Sequence, residues 1–375
     1  MGIGNQLIGD VERLLVAQTL GRRSLFRMTG ASSQCWRAET EIEQMYRGMR
    51  CLLLPSATMG LSLILELLDI EPGREVLIAP FGWLSNWSCI SRAGLVPRFL
   101  PLNRDLQLDP ADVGRRITDR TGAVIVTHLM GRGQQNVKEI AALCARNNIP
   151  LLEDIAQSFG VSVGARRAGT YGVAAWCSLN HHKLLSTGDG GFVLVRDEGL
   201  FAKLGGLHDQ GCTMREGQRR PAAVVQPGLS LRSTELVAAV LRAQIARFNF
   251  IRGRILRMNK ALAEACSREL GVEILTPHRG DVPFTVLFRR PPEMHYPSLA
   301  DSGWHVAAHV PWLATTFASA ARDDASLSAT YGYLTATSAV GAGFVDPYYA
   351  IPLGLGITDT VANVAATVKN LREQL

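Results

Sequence analysis

"AVIVTHLMGRGQQNVKEIAALCARNNIPLLED", residues 123–154, reads as a strand, a helix and a second strand. "AVIVTHL" is continuously apolar rather than alternating, as a strand covered on both faces requires. "NVKEIAALCARNN" is helical, and "IPLLED" is another short apolar strand. The same rhythm runs outward from this unit. Upstream, "TMGLSLILELLDI" reads as a helix stopped by "EPGR". It is followed by the strand "EVLIAP", the helix "SNWSCISRAG", the strand "VPRFLPL" and the helix "PADVGRRI". Downstream, "FVLV" after Gly191 is a further strand. The fold class expected is α/β, with a mostly parallel central sheet between helices. A long amphipathic stretch, "STELVAAVLRAQIARFNFIRGRILRMNKALAEAC", predicts one helix or a kinked pair. It marks the passage from a large domain, 1–250, to a smaller C-terminal α/β domain, 251–375.

Composition narrows the function. The 375 residues are 47% apolar and 19% charged, which suits a globular, well-buried chain. No window approaches the uninterrupted apolar length of a spanning helix, so no membrane partner is expected. The opening "MGIGNQLIGDVERLLVAQ" carries an acidic pair where a secretory signal needs basic residues and a long apolar run. It reads as the mature start of a soluble, cytoplasmic protein. The net charge of +6 invites a nucleic-acid reading, but the basic residues are scattered, and "RGRILR" and "EGQRRP" are short. With no zinc-finger or RNP-like pattern beside them, they fit solvated faces and an anionic small molecule better. Seven cysteines, an odd number without a C-x-x-C pair, point to free thiols in a reducing compartment.

In an open parallel sheet, ligands gather at the carboxyl ends of the strands. His128 closes "AVIVTH", Glu153 and Asp154 close "IPLLED", and Ser178 and Lys183 follow "VAAWCSL". "PSATMGL" sets Ser56, Ala57 and Thr58 at the start of a helix, where backbone N–H groups and two hydroxyls suit a phosphate. Trp83 in "APFGWLSN" offers an aromatic face at another strand end. A lysine, an acid and a phosphate cradle are the needs of pyridoxal 5'-phosphate.

With those residues in view, the chain resembles the sugar-aminotransferase family (DegT/StrS-like) of fold-type I enzymes dependent on pyridoxal phosphate. "PSATMGL" resembles the family's S-G-T-x-A-L turn, and "EPGREVLIAPFGWLSN" its G-D-E-V-I…P-F-T-F-x-A-S segment. "VTHLMG" resembles V-H-L-Y-G, and "LLEDIAQSFG" resembles V-I-E-D-A-A-Q-A-x-G. "SLNHHKLLSTGDGGFV" resembles S-F-x-x-x-K-x-L-T-T-G-E-G-G-x-V, and "GLSLRSTELVAAV" resembles G-x-N-x-R-M-S-E-L-x-A-A. Each is weak alone; together, in this order and spacing, they are specific. The resemblance implies that Lys183 is the Schiff-base lysine and proton carrier. It implies that Asp154 partners the pyridine nitrogen, that Gln157 lies near the ring's 3-oxygen, and that Trp83 stacks on the ring. Ser56, Ala57, Thr58 and Ser178 would form the phosphate site. His128 is a further catalytic candidate at its strand end. The active site would lie at a homodimer interface, with the segment from Ser230 to Arg232 supplied by the partner subunit.

His181 and His182 raise a rival reading as metal ligands. Adjacent residues rarely enter one coordination sphere, and further ligands are missing, so no metal is expected. One subgroup of the family, the sugar 3-dehydratases, carries histidine at the lysine position. Counting back from "GDGG", it is Lys183 that occupies it here.

Ala57 stands where the family has glycine, Gly82 where it has a hydroxyl residue, and Ser230 where it has asparagine. The function expected is transfer of an amino group from glutamate or glutamine to a keto or aldehyde group. The acceptor would be a sugar, a nucleotide-sugar or an aminocyclitol precursor. The alternative keeps the cofactor and changes the carbanion's fate to elimination, epimerisation or related chemistry on an unusual substrate, as those departures suggest.

Overall fold

The computed structural model describes residues 7–27, 32–79, 82–103, 105–215, 218–221, 227–289 and 348–352. Its centre is a seven-stranded sheet in the order β1-β9-β8-β5-β4-β2-β3. These strands are β1 (Arg50–Leu54), β2 (Glu75–Ile78), β3 (Val96–Phe99), β4 (Thr121–Thr127), β5 (Leu151–Asp154), β8 (Ala174–Ser178) and β9 (Gly191–Val195). Pairings of β2 with β3 and β4, of β4 with β5 and of β5 with β8 are parallel. β9 runs antiparallel to both β8 and β1, so it alone is reversed. The short hairpin of β6 (Ser162–Val163) and β7 (Arg166–Arg167) leads into β8.

Helices cover both faces. On one lie α3 (Ala57–Leu67) and α4 (Ser85–Arg92), whose Leu61, Ile64 and Trp87 meet Leu52, Leu54, Val124, Trp176 and Val193. On the other lie α2 (Gln34–Met45), α8 (Glu235–Ala246) and α9 (Phe248–Leu270). Their Ile42, Leu241 and Ile251 meet Cys51, Leu53, Cys177, Phe192 and Leu194. Neighbouring strand residues thus feed opposite cores, as the two-residue period of a strand demands. Each fully buried Leu, Val, Ile or Phe contributes about 1.5–3 kcal/mol. Three further helices, α1 (Asp10–Gly21), α5 (Pro110–Arg116) and α6 (Val137–Arg146), complete the layers, together with α7 (Glu198–His208).

The long amphipathic stretch is a pair of helices broken at Arg247. Beyond α9, β12 (Thr285–Arg289) pairs with β13 (Tyr348–Pro352), while β10 (Cys212–Arg215) and β11 (Gln218–Pro221) form a hairpin. Most of the expected domain 251–375 lies outside the described residues. No helix among the described residues is long and apolar enough to cross a membrane.

The topology brings the chemistry to one edge. The ends of β1, β2, β4, β5 and β8, and the start of the reversed β9, lie together. Ser56, Trp83, His128, Asp154, Ser178 and Lys183 all follow or close these strand ends.

Candidate active site

Asp154 ends β5 and is buried. Its Oδ2 accepts from Nδ2 of Asn86 at 2.6 Å, and its Oδ1 accepts from the N–H of Ala156 at 2.9 Å. Burial lifts this carboxyl above its ordinary value, while those two donors and the nearby Lys183 charge oppose the rise. Lys183 follows β8 in a turn closed by its own N–H, which donates to the carbonyl of Asn180 at 2.9 Å. The residue is half-buried, and desolvation of its amine holds the ammonium below the ordinary lysine value. The charge of Asp154 pushes the other way. Its Nζ lies 5.5 Å from the ring centroid of Trp83, which is 40% exposed. Amine, carboxylate and indole are therefore near one another at the carboxyl edge of the sheet, although they come from three separate strand ends.

The phosphate candidates assemble around one glycine. β9 starts at Gly191, which pairs with Ser178 on one side and Leu54 on the other. A Cβ on Gly191 would stand 2.3 Å from the nitrogen of Ala57 and 2.7 Å from the carbonyl carbon of Ser56. The start of α3 therefore rests directly on β9, and the absent side chain leaves the helix N-terminus next to Ser178. Ser56 caps α3, its Oγ accepting from the N–H of Met59 at 3.2 Å. Thr58 is half-buried in the first turn. Ala57, in place of the family's glycine, sits inside the helix, where a methyl group is unstrained.

Gln157 is buried and held at both ends of its residue. Its Oε1 accepts from the N–H of Met130 at 3.0 Å, and its carbonyl accepts from the N–H of Gly131 at 2.9 Å. Ser230 is exposed, in a single bridge to Asp209, and the neighbouring Arg232 pairs with Asp209.

His128 is placed differently from the others. It has no exposure, its Nδ1 accepts from the N–H of Gln134 at 3.1 Å, and its Nε2 meets Oε2 of Glu153 at 3.0 Å. Glu153 precedes Asp154 in the strand and so points to the opposite face. There it also accepts from the N–H groups of Gly169, Tyr171 and Gly172. Burial alone would raise the Glu153 carboxyl, but His128 and these N–H groups bring it below its ordinary value. Both nitrogens of His128 are engaged in tying loops together, which leaves none for substrate. The rings of His181 and His182 lie with centroids 3.7 Å apart, tilted by 44°, beside Lys183 in the chain. No group of three or more potential metal ligands forms among the described residues.

Three residues were not read from the sequence. Asn86 lies on the first turn of α4 and takes part in the Asp154 contact. Its Oδ1 and the Oγ1 of Thr127 are buried without a hydrogen-bond partner. Thr127 pairs with Asp154 across β4 and β5 and so shares its face. Gly191 is the third. The side chains of Asn86 and Thr127 lie next to Asp154 and within 4 Å of the Cβ position of Gly82, and their unpartnered atoms leave hydrogen-bonding capacity unused beside the carboxylate.

Comparison with known proteins follows the same line. Residues 14–282 match the pattern of the DegT/DnrJ/EryC1/StrS aminotransferase family. The chain belongs to that family. An L-glutamine:2-deoxy-scyllo-inosose aminotransferase of Streptomyces fradiae is 31% identical over 229 residues, 59% of this chain and 54% of that protein. A GDP-perosamine synthase of Vibrio cholerae is 28% identical over 235 residues, 62% of each chain. The match spans little more than half the length of such relatives. The Helicobacter pylori aminotransferase of pseudoaminic acid biosynthesis superposes with a TM-score of 0.75 over 98% of both chains at 16% identity, a likeness of fold.

Proposed function

We propose that this family member is a pyridoxal-phosphate-dependent aminotransferase. It would move an amino group from glutamine or glutamate to a carbonyl group on a sugar, nucleotide-sugar or aminocyclitol precursor. One observation carries the reading: at the carboxyl edge of the sheet the amine of Lys183 stands 5.5 Å from the half-exposed Trp83 ring, with the buried carboxylate of Asp154 near enough for its charge to act on that amine. The names of the curated relatives support the donor and the acceptor class.

The residues fit the cofactor. Lys183 would join its aldehyde, Asp154 would face its ring nitrogen, Gln157 its 3-oxygen and Trp83 its ring. The turn of Ser56, Ala57 and Thr58 with Ser178 would hold its phosphate, beside Ser230 of a second copy in a homodimer. When bound, the cofactor supplies an electron sink that acidifies the hydrogen on the amine-bearing carbon. The chain does the rest. The depressed ammonium of Lys183 keeps a larger share of free amine near neutral pH, ready to take that proton and return it to the acceptor carbon. Asp154 would supply its carboxylate where ring protonation needs it, and the donors from Asn86 and the Ala156 N–H favour its charged form against the effect of burial. His128 serves as a positioning residue that ties β4 to β5. Exchange of amine for carbonyl between donor and acceptor consumes no oxidant. A domain boundary near residue 250 and a cytoplasmic location complete the proposal.

The test is a half-reaction. Purified protein loaded with pyridoxal phosphate should lose its visible band on adding glutamine or glutamate, and regain it with a keto-cyclitol or keto-sugar. If no amino donor discharges the band, transamination is ruled out and the elimination or epimerisation reading takes its place.

A further inference from the structure

We propose that Asp281 is a positioning residue for the active site, holding Gln157 in place through the turn at residues 130–133; this rests on the reading of Gln157 given above. Asp281 lies in the segment that precedes β12 and is buried. Its Oδ2 accepts from the N–H of His278 at 2.7 Å, closing its own turn. Its Oδ1 reaches across to the loop after β4 and accepts from the N–H of Gly133 at 2.8 Å. The neighbouring Val282 donates its N–H to the carbonyl of Gly131 at 2.8 Å, and Nη2 of Arg132 donates to the carbonyl of Leu275 at 2.7 Å. Residues 275–282 are thus stitched to residues 131–133 at three successive positions.

That loop is what orients Gln157. The N–H of Met130 holds its side-chain oxygen and the N–H of Gly131 holds its main-chain carbonyl. With Oε1 so engaged, the amide group of Gln157 is turned as a donor, the polarity an oxygen anion would need. Met130 and Gly131 hold φ of +55° and +77°, a conformation a methionine keeps only where its surroundings impose it. The segment at 281–282 packs so closely on this turn that a Cβ on Gly131 would stand 2.0 Å from the carbonyl oxygen of Val282. The strap is therefore hydrogen-bonded and closely packed against the turn that presents Gln157, and removing its anchor frees the turn.

Asp281→Ala removes both acceptors, while Asp281→Asn keeps the shape and one acceptor. Amide hydrogen exchange should quicken at residues 130–134 and 155–159 in Asp281→Ala, with the fold intact by circular dichroism. Its affinity for pyridoxal phosphate should fall about tenfold, and Asp281→Asn should lie between. Should the alanine variant not fold, the asparagine variant carries both measurements. Faster exchange confined to residues 276–284, or loosening of 130–134 with unchanged affinity, overturns the proposal. If the unaltered protein takes up no pyridoxal phosphate, the functional reading falls, and the exchange data alone still decide whether Asp281 holds the Gln157 turn.

Discussion

Asn86 carries more of the site than its place in "SNWSC" suggests. Its amide donates to a buried carboxylate whose pKa is already raised by burial, so the hydrogen bond opposes that rise and favours the charged form of Asp154. Asn86→Ala removes that donor and lets the Asp154 value climb further. A buried acceptor left short of a partner costs about 1–3 kcal/mol, and kcat/KM should fall by about tenfold or more. The acid limb of the activity profile should also move to higher pH, because Asp154 would take up its proton earlier. An unchanged profile would show that Asn86 only packs. The strand-end positions of Lys183 and Asp154 were legible in the sequence because the apolar runs before them mark where the strands stop. Asn86 was not, since its partner lies 68 residues away and nothing local to α4 marks the contact.

At the scale of elements, the contact of β9 with the start of α3 sets the geometry of the phosphate turn. Gly191→Ala would drive a methyl group into backbone atoms of Ser56 and Ala57, which cannot swing aside. It should cost about 1–3 kcal/mol in urea unfolding and weaken cofactor binding as well. Gly82→Ala is the matched control. Its Cβ would meet side-chain atoms at 3.5–3.8 Å, ordinary contact, so its stability should stay within about 0.5 kcal/mol. Equal losses from both would contradict the close-packing reading. The apolar runs at β2, β4 and β5 and the helices between them followed from periodicity. "RCLLL", which forms β1, is too short and too close to α2 to stand out. The reversal of β9 leaves no trace in "GFVLV", because an apolar run has no direction. His128 illustrates a related limit. Its position at a strand end was readable, but the face its ring takes was settled by Glu153 and by the loops that Glu153 binds.

At the scale of the molecule, one buried imidazole links stability to pH. His208 closes α7, is buried, and its Nε2 has no hydrogen-bond partner. Desolvation, with the charges of Arg27 and Arg232, lowers its pKa from 6.5 to about 3. The unfolded chain takes up this proton first as the pH falls, so the stability is full above the unfolded value. It is then lost through the window down to the folded one, by up to about 1.4 kcal/mol per pH unit. Urea unfolding of wild type and His208→Leu near neutral pH and at about pH 5 should show a shallower loss in the variant. Identical slopes would remove His208 from the acid response.

The chemistry assigned to the sheet's carboxyl edge has one direct test. The protein is incubated with pyridoxal phosphate, reduced with borohydride, digested, and its peptides are weighed. A single pyridoxyl group should be found on Lys183, and it should be lost in Lys183→Ala. An unlabelled chain, or a label on another lysine, would contradict the site.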